Sequence, residues 1–418
     1  MRHAMLDLRD LLQALLKWLL IAALVAALAG TASTLLLFAL DWATNTRSAH
    51  AWLIWLLPVA GFAVGWLYWR FGSEVEGGVS VLITQVHTPE KIVPLRMAPL
   101  VLGGTIVSHL FGASVGREGT AVQMGGALAD QLSGLFRLDD DERRIVLMAG
   151  ISAGFASSFG TPLAGAIFGL EVLAIGRLRY NAIVPCLLAA VLADQVGLLW
   201  GAQHTHYTAP SVPAITAWGL AAMVIAGVLF GLTARVFAQA THAVAGLMKR
   251  LLAWPPLRPL VGGLVVASAI WLLDAQRYSG LGIPTIVESL LQPLPAHDFL
   301  AKMALTIVSL GSGFKGGEVT PLFFIGSTLG NALAPVLHQP FALLAAVGFV
   351  AVFAGAANTP IASTLMAIEL FGAEIGVYAA IGCFIAYQFS GQDGIYRAQV
   401  VAQPKNPPAP AARQTDQP

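Results

Sequence analysis

The stretch FGASVGREGTAVQMGG, from Phe111 to Gly126, places an Arg–Glu pair between glycines inside an otherwise apolar segment. Ionisable side chains at membrane depth are costly and are usually functional. Apolar segments recur along the chain, which has 418 residues, 57% of them hydrophobic and 11% charged. Soluble domains contain about 25% charged residues. The composition therefore predicts a protein that crosses a membrane several times.

The same composition argues against other classes of protein. A net charge of +1 gives no basic surface for a nucleic acid. The two cysteines, Cys186 and Cys383, lie far apart in apolar segments and predict neither a disulfide framework nor a metal site. No HExxH motif or converging His/Asp or Ser/Lys set indicates a membrane-embedded enzyme. We expect no cofactor, no metal and no nucleic-acid partner.

Apolar runs predict helices along almost the whole chain, many of them shorter than the ~20 residues that a straight membrane span needs. Glycine or proline interrupts many of these runs. Irregular backbone is tolerated at membrane depth only where protein or a water-filled cavity satisfies it. We therefore predict an all-α polytopic fold with broken and tilted helices. The predicted helices are 12–40, 51–69, 96–112, 119–135, 143–157, 162–175, 182–200, 215–245, 257–274, 285–292, 298–309, 321–336, 341–354 and 360–390.

The two ends of the chain differ in composition. The first apolar run continues to about Leu40, which is too long for a cleaved signal peptide, so we interpret it as the first helix. Arg2, Arg9 and Lys17 favour a cytoplasmic N-terminus. The polar, Pro- and Ala-rich segment 403–418 predicts a disordered tail after a membrane domain that fills residues 1–402.

The chain resembles itself at a distance of about half its length. TPLAGAIFGLE (Thr161–Glu171) resembles TPIASTLMAIE (Thr359–Glu369), and upstream of these GREGT (Gly116–Thr120) aligns with GGEVT (Gly316–Thr320). Because both matches occur in the same order, we predict a duplication into repeats of roughly residues 12–200 and 215–400. In transporters, such repeats meet at a substrate site near the midplane.

Each glycine cluster stands at the start of an apolar helical run. Helix N-termini present unpaired N–H groups and partial positive charge to an anion, and glycine allows close approach. The alternative is that these glycines only pack between helices. At such a position Glu118 can occupy the anion site when ionised and leave it with a proton. The alternative for Glu118 is a structural salt bridge with Arg117.

These motifs resemble those of the CLC family of anion channels and anion/proton exchangers. GREGT resembles the family's GREGP, GSGFKGGEVTP (Gly311–Pro321) resembles its GSGxxGGxFxP, and GGVSVL (Gly77–Leu82) stands where GGSGIP is expected. The resemblance covers roughly residues 15–400. It implies an inverted-repeat fold and a homodimer with one ion pathway in each subunit.

The departures from the family pattern resemble those of its fluoride/proton antiporter branch. Val79 replaces the usual serine, Thr120 replaces a proline, and Glu318 and Thr320 flank Val319. The resemblance implies that Glu118 is the gating glutamate, that Glu318 and Thr320 support fluoride and proton movement, and that Tyr396 is the central tyrosine. The candidate anion-binding residues are Gly116, Gly119, Thr120, Gly317, Thr320, Tyr396 and Val79.

Fluoride is a strong hydrogen-bond acceptor, so hydroxyl and helix N–H donors in a water-poor site suit it. Alternatives remain for some of these donors. Thr120 and Thr320 can bond back to their own helix, and Tyr396 can anchor at the membrane interface.

Other polar residues are interpreted as structural. Glu171 and Glu369 end the two TP…E helices and are expected to stabilise helix ends. His204 and His206 lie in a polar segment and are expected to be solvated.

The sequence thus predicts a fluoride/proton antiporter of a bacterial-type inner (plasma) membrane. It exports fluoride from the cytoplasm in exchange for protons, and both its termini are cytoplasmic. The alternative is a chloride-selective channel or a chloride/proton exchanger on the same scaffold.

Overall fold

A computed structural model describes residues 8–208 and 211–405, and within these ranges the chain forms sixteen α-helices. The first half contains α1 (Leu8–Ala49), α2 (Leu57–Phe71), α3 (Val79–His87), α4 (Met97–Leu110), α5 (Glu118–Leu135), α6 (Asp140–Phe159), α7 (Pro162–Glu171) and α8 (Ile183–Leu199). The second half contains α9 (Ala217–Leu251), α10 (Leu257–Leu272), α11 (Ile283–Ser289), α12 (Asp298–Ser312), α13 (Val319–Leu337), α14 (Phe341–Ala357), α15 (Pro360–Phe371) and α16 (Gly376–Phe389).

Every predicted apolar run overlaps a helix, but two predictions are wrong in detail. The run predicted as one helix over 360–390 is two helices, because Gly372 adopts a φ of 95° and a short 3₁₀ turn follows at Ala373–Ile375. Helix α3 was not predicted, since its nine residues mix Val, Ser, Thr and Gln and show no long apolar run.

The outer surface of the helix bundle is apolar. In the described part of the chain, five helical segments are long and apolar enough to cross a membrane: Leu15–Ala49, Ala51–Phe71, Tyr180–Leu199, Ala217–Leu251 and Val319–Leu337. Large side chains such as Leu16, Val59 and Leu251 are exposed on these segments. An exposed apolar surface of this extent suits lipid. Other apolar helices in the described residues are shorter than these segments, as expected for broken helices.

Corresponding helices of the two halves pack in the same way. Helix α5 contacts α6, and α13 contacts α14, through small residues. A Cβ atom at Gly125 would overlap the carbonyl of Gly150, and one at Gly326 would overlap the carbonyl of Gly348. Small residues let membrane helices approach closely. The helix pairs that carry the two candidate N-termini are therefore held rigidly in both halves.

After α16 the chain folds back as a strap, residues 392–405, that joins the two halves. Its β2 (Val400–Val401) pairs in parallel with β1 (Ala174–Ile175) of the first half. The Gln399 side chain donates to the carbonyls of Val172 at 2.9 Å and Ala357 at 2.8 Å. The strap carries Tyr396 into the protein interior, where 4% of its surface remains exposed.

The boundary predicted at residue 403 needs correction. The Lys405 ammonium donates to Ser390 Oγ at 2.8 Å and to the Gly391 carbonyl at 2.5 Å, and the Gln403 N–H donates to the Ile175 carbonyl at 3.1 Å. These contacts cap the end of α16 and extend the β1–β2 pairing, which composition alone does not reveal. The rest of the predicted tail, 406–418, lies outside the described residues.

Candidate functional site

The two glycine loops predicted from the internal repeat face each other. The Gly116 N–H donates to the Gly317 carbonyl at 2.6 Å, and the Gly317 N–H donates to the Gly116 carbonyl at 2.7 Å. A Cβ atom at Gly317 would lie 2.6 Å from the Gly119 nitrogen, so only glycine fits. Because α5 and α13 begin immediately after these loops, their N-termini converge on one point.

The Glu118 side chain occupies this convergence point and is fully buried. Its carboxylate accepts the Thr320 N–H at 3.1 Å, and the Thr320 hydroxyl lies 2.6 Å from both carboxylate oxygens. The acid of the first half thus caps the first turn of the helix in the second half. A carboxylate here is held where backbone N–H groups and the helix dipole favour negative charge.

The salt bridge considered as the alternative role of Glu118 is also present. Arg117 Nε lies 3.3 Å from Glu118 Oε1, and Arg117 Nη2 donates to the Ser158 carbonyl at 3.4 Å. Both distances exceed those of a strong charge-assisted hydrogen bond. Thr320 therefore holds the carboxylate more closely than Arg117 does, and the ion pair does not exclude movement of Glu118.

The structure does not bring the Thr120 side chain to the carboxylate. Its hydroxyl lies 2.7 Å from the Thr105 hydroxyl on α4, and its N–H donates to the Arg117 carbonyl at 3.0 Å. The hydroxyl at the Glu118 carboxylate in this conformation is that of Thr320, from the second glycine loop. Back-bonding of Thr320 within its own helix is replaced by the contact with Glu118.

Gly116 and Gly317 are also predicted to bind the anion through their N–H groups. In this conformation these N–H groups bond to the opposite loop, as described above. Gly119 provides close approach instead, since a Cβ there would lie 3.4 Å from Glu318 Oε2 and 3.0 Å from the Gly317 Cα. The glycines therefore bring the two acids together across the repeat junction.

A cavity of about 320 Å³ leads to this junction. Its lining includes three of the predicted site residues: Glu318, Tyr396 and Val79. Val79, the first residue of α3, is buried beside Gly78, whose φ is 60°. The Tyr396 phenol lies within electrostatic range of both Glu318 and Glu118. The cavity thus reaches the junction at Glu318.

Sequence reasoning missed several charged residues around the cavity. Its lining includes Lys315, Lys249, Arg258 and Glu76. Lys315 lies within the GFKGGE segment of the second glycine loop, so the motif contained the signal. The other residues come from distant segments, and only the fold shows that they share this cavity.

Glu171 and Glu369 stabilise helix ends, each on the other's helix. Glu171 accepts the N–H groups of Ile361 and Ala362 at the start of α15, at 3.0 and 2.8 Å. Glu369 accepts those of Leu163 and Ala164 at the start of α7, at 2.9 and 2.8 Å. Both residues therefore have the structural role expected of them, and each one caps the N-terminus of the helix that carries the other.

The expectation that His204 is solvated is wrong, whereas His206 is exposed. The His204 ring lies over Gly160, where a Cβ would be 2.6 Å from its Cδ2 atom. Its Nε2 lies 3.6 Å from Asp194 Oδ1, and its side chain is 13% exposed. Burial lowers the pKa of His204 to about 4, and the charges of Arg117 and His206 act in the same direction.

The chemistry of the site is that of acids and hydrogen-bond donors. Among the residues that the structure describes, no three His, Cys, Asp or Glu side chains converge where a metal ion could bind. The groups at the junction are the buried Glu118 carboxylate, the part-buried Glu318 carboxylate, a threonine, a tyrosine and two helix N-termini. Such a set can bind a small anion and hold protons.

Comparison with known proteins gives consistent results. The family model described as voltage gated chloride channel matches residues 60–391. The chain is 61% identical over 403 residues to the "Chloride/fluoride channel protein" of Pseudomonas syringae pv. tomato, which covers 95% of this chain and 89% of that protein. It is 27% identical over 415 residues to the "H(+)/Cl(-) exchange transporter ClcA" of Vibrio vulnificus, with coverage of 90% and 88%.

A solved structure supports the same family. The fold is similar to the crystal structure of a CLC-type fluoride/proton antiporter, with a TM-score of 0.90 and 36% identity over 93% of this chain and 98% of that chain. The all-α fold predicted from the sequence is thereby confirmed. The family match over residues 60–391, the shared fold and the facing glycine loops show that the chain belongs to the voltage gated chloride channel family of CLC membrane proteins.

Proposed function

We propose that this CLC protein is a fluoride/proton antiporter that exports fluoride from the cytoplasm in exchange for protons. The observation that carries the proposal is the Glu118 carboxylate, bound by the Thr320 N–H and hydroxyl at 3.1 and 2.6 Å. A buried carboxylate in a cradle of donors stands in for the transported anion. The same group also binds a proton, so one side chain links the two movements.

The exchange follows from competition at Thr320. When Glu118 is ionised it fills the anion position and blocks the pathway. When it takes up a proton it loses its charge and its hold on the N-terminus of α13, and an anion replaces it against the same donors. Anion binding and proton binding to Glu118 therefore favour each other, which is the basis of coupled exchange.

Glu318 gives the proton a route from the cavity. It lines the cavity, and its carboxylate lies close to Gly119, the neighbour of Glu118 in the chain. Like charges on two neighbouring acids repel each other, so a proton on one of the two acids stabilises the ionised form of the other. A protonated Glu318 is also a hydrogen-bond donor to fluoride. Tyr396, carried by the strap, adds a hydroxyl to the same cavity.

Fluoride fits this site better than chloride for two reasons. The donors are hydroxyl, carboxyl and N–H groups, from which a small, strong acceptor gains most. Val79 places an apolar side chain where the chloride pattern has a serine hydroxyl. The name of the Pseudomonas relative includes fluoride, and the structural neighbour at 36% identity is described as a fluoride/proton antiporter. The ClcA relative, at 27% identity, is named as a chloride exchanger, so chloride is the alternative anion that the transport experiment must test.

We propose that the chain works as a homodimer in the inner membrane with both termini cytoplasmic. Contacts that link the first helix with the strap support a common side for both termini. Lys17 pairs with Glu142 at the start of α6, and Arg144 in the same turn donates to the Val86 carbonyl at 3.1 Å. His87 contacts the Leu173 carbonyl at 2.9 Å, beside the β1–β2 pair formed by the strap.

The test is transport by the full-length chain reconstituted into liposomes loaded with fluoride or with chloride. Efflux is followed with ion-selective electrodes while a pH electrode records proton movement. We expect fluoride efflux accompanied by proton uptake, and fluoride driven uphill by an imposed proton gradient. Chloride flux that equals or exceeds fluoride flux would favour the chloride alternative, and flux without proton movement would favour a channel.

A further inference from the structure

Lys315 is the charged residue of the second glycine loop that has no part in the exchange described above. Its side chain packs over Gly104 of α4, where a Cβ would lie 2.9 Å from the Lys315 Cβ. Its Nζ lies 3.9 Å from the centre of the Tyr68 ring. The glycine makes room for the lysine stem and the ring positions the ammonium by a cation–π contact. The lysine is therefore held in a defined place.

No carboxylate neutralises this ammonium at short range. Among the described residues, no Asp or Glu forms an ion pair with Lys315, and the contact with Tyr68 is the one that fixes its charged end. The charges that act on it are those of Glu76 and Lys249, both exposed at the cavity rim. A part-buried cation that lacks an ion-pair partner keeps its affinity for an anion.

The surroundings of Lys315 add to this positive charge. The lining of the 320 Å³ cavity includes four cations, Lys249, Arg258, Lys315 and Arg397, and two acids, Glu76 and Glu318. When Glu318 carries a proton, the balance becomes four positive charges against one negative. Concave sites lined by one sign of charge concentrate counter-ions and raise association rates. The arrangement thus favours anions in the cavity that leads to the junction.

We propose that Lys315 forms a capture site that holds a small inorganic anion in the cavity before the anion reaches Thr320. The site takes fluoride in the direction of export, and in this respect it rests on the proposed function. A lysine ammonium is a compact, strongly hydrated donor, which suits a small anion. Lys315 belongs to the same loop as Gly317 and Glu318. It therefore holds a captured anion on the loop that also carries the proton-binding acid, three residues further along the chain.

This role differs from that of the residues at the junction. Lys315 takes no proton from Glu118 and does not compete for the anion position. Its effect is therefore on the anion concentration at which transport saturates and not on the fluoride-to-proton ratio. Electrostatic capture also weakens with ionic strength, because the Debye length falls from about 30 Å at 0.01 M to about 10 Å at 0.1 M.

The experiment compares wild type with Lys315→Met and Lys315→Arg in liposomes, with fluoride as the probe and initial efflux rates measured over a range of internal fluoride. At low ionic strength we expect Lys315→Met to raise the KM about 5- to 10-fold, within the range of electrostatic concentration effects. The maximal rate and the fluoride-to-proton ratio stay at the wild-type values, Lys315→Arg restores most of the affinity, and the difference narrows at 0.3 M salt.

The matched control is Arg250→Gln, which removes one positive charge from the exposed neighbour of Lys249 without touching the cavity. It should leave the KM unchanged. If Lys315→Met does not purify as a monodisperse protein, Lys315→Gln is measured in its place. An unchanged KM, a change independent of salt, or an altered fluoride-to-proton ratio would each overturn the capture site.

The same liposomes separate this proposal from the proposed function. If the wild type moves chloride in preference to fluoride, the function is wrong, and the KM for chloride in the Lys315 variants still decides on the capture site. If the wild type exchanges fluoride for protons and the variants have wild-type KM values, the function stands and the capture site fails.

Discussion

Glu171 and Glu369 cap each other's helices: each carboxylate, at the end of its own short helix, accepts two N–H groups from the first turn of the other. Helices α7 and α15 therefore run antiparallel, with an acid-capped N-terminus at both ends of the pair. The arrangement follows the internal repeat, because each acid and each N–H partner in the first half is separated from its counterpart in the second half by the same number of residues. The pair thus joins the two halves of the protein at two separate points.

Removal of either cap should lower stability while leaving the transport chemistry intact. Hydrogen bonds to a charged group contribute about 1.5–3 kcal/mol each, and each carboxylate accepts two of them, so Glu171→Ala and Glu369→Ala should each cost about 3–6 kcal/mol. The two caps are separated by the ten residues of α7, or about 15 Å, which is beyond direct coupling. The double variant should therefore show the sum of the single effects. Thermal unfolding in detergent measures these losses. A double variant whose loss of stability is far below the sum of the single losses would show that the two caps are not independent.

Substitution of Glu118 should separate fluoride movement from proton movement. Glu118→Gln keeps the shape of the side chain but cannot alternate between anion and acid, and Glu118→Ala leaves the position at Thr320 open. We expect both variants to lose proton-driven fluoride accumulation in liposomes. Uphill fluoride movement by either variant on a proton gradient would show that another group couples the two ions.

The two threonines of the repeat offer a matched pair of variants. The Thr320 hydroxyl lies 2.6 Å from the Glu118 carboxylate, whereas the Thr120 hydroxyl lies 2.7 Å from Thr105. Thr320→Val removes a donor from the anion position and should slow fluoride exchange at least tenfold, and Thr320→Ser should restore it. Thr120→Val should leave the exchange near the wild-type rate. Equal losses in Thr120→Val and Thr320→Val would contradict the assignment of the donor.

The sequence motifs identified the loops correctly but not which donors are free. GREGT and GGEVT predicted that Glu118 and Glu318 share a site, because the repeat and the glycines are visible in one dimension. The Thr120–Thr105 contact and the mutual bonding of Gly116 and Gly317 depend on which face of each loop meets the other. That choice is made by packing across the repeat junction, so the sequence pattern could not resolve it.

The buried His204 makes a prediction about acid stability. Its pKa is lowered to about 4, mainly by burial, against about 6.5 in an unfolded chain. Between these values the unfolded chain binds a proton that the folded chain does not, so stability falls as the pH drops from 6.5 towards 4. Asp194, at 3.6 Å, opposes this loss, and Arg117 and His206 add to it. His204→Asn should flatten the dependence of the melting temperature on pH over this range.

The control for this measurement is His206→Asn, because His206 is exposed two residues away. It should retain most of the acid sensitivity of the wild type. If the melting temperature of His204→Asn depends on pH as steeply as that of the wild type, the loss of stability at acid pH arises elsewhere in the protein.

Glu318 gives the sharpest test of fluoride selectivity. The acid lines the cavity and lies beside Gly119, so a proton on Glu318 can reach both the anion and the neighbourhood of Glu118. Fluoride gains more than chloride from a carboxyl donor, because it is smaller and a stronger acceptor. Glu318→Ala should therefore cut fluoride efflux strongly, by tenfold or more, and narrow the preference for fluoride over chloride. Glu318→Gln keeps an N–H donor but no exchangeable acid, so it should retain more of the selectivity than of the proton coupling.

The measurement is efflux of fluoride and of chloride from liposomes that contain equal amounts of monodisperse protein. Glu171→Ala serves as the control, since Glu171 caps a helix away from the cavity and its loss should reduce the yield of folded protein without changing the selectivity of what folds. A Glu318→Ala variant with wild-type fluoride flux and selectivity would remove Glu318 from the mechanism. The proton would then have to reach Glu118 without a second acid, and the cavity lined by Glu318 and Tyr396 would serve the anion alone.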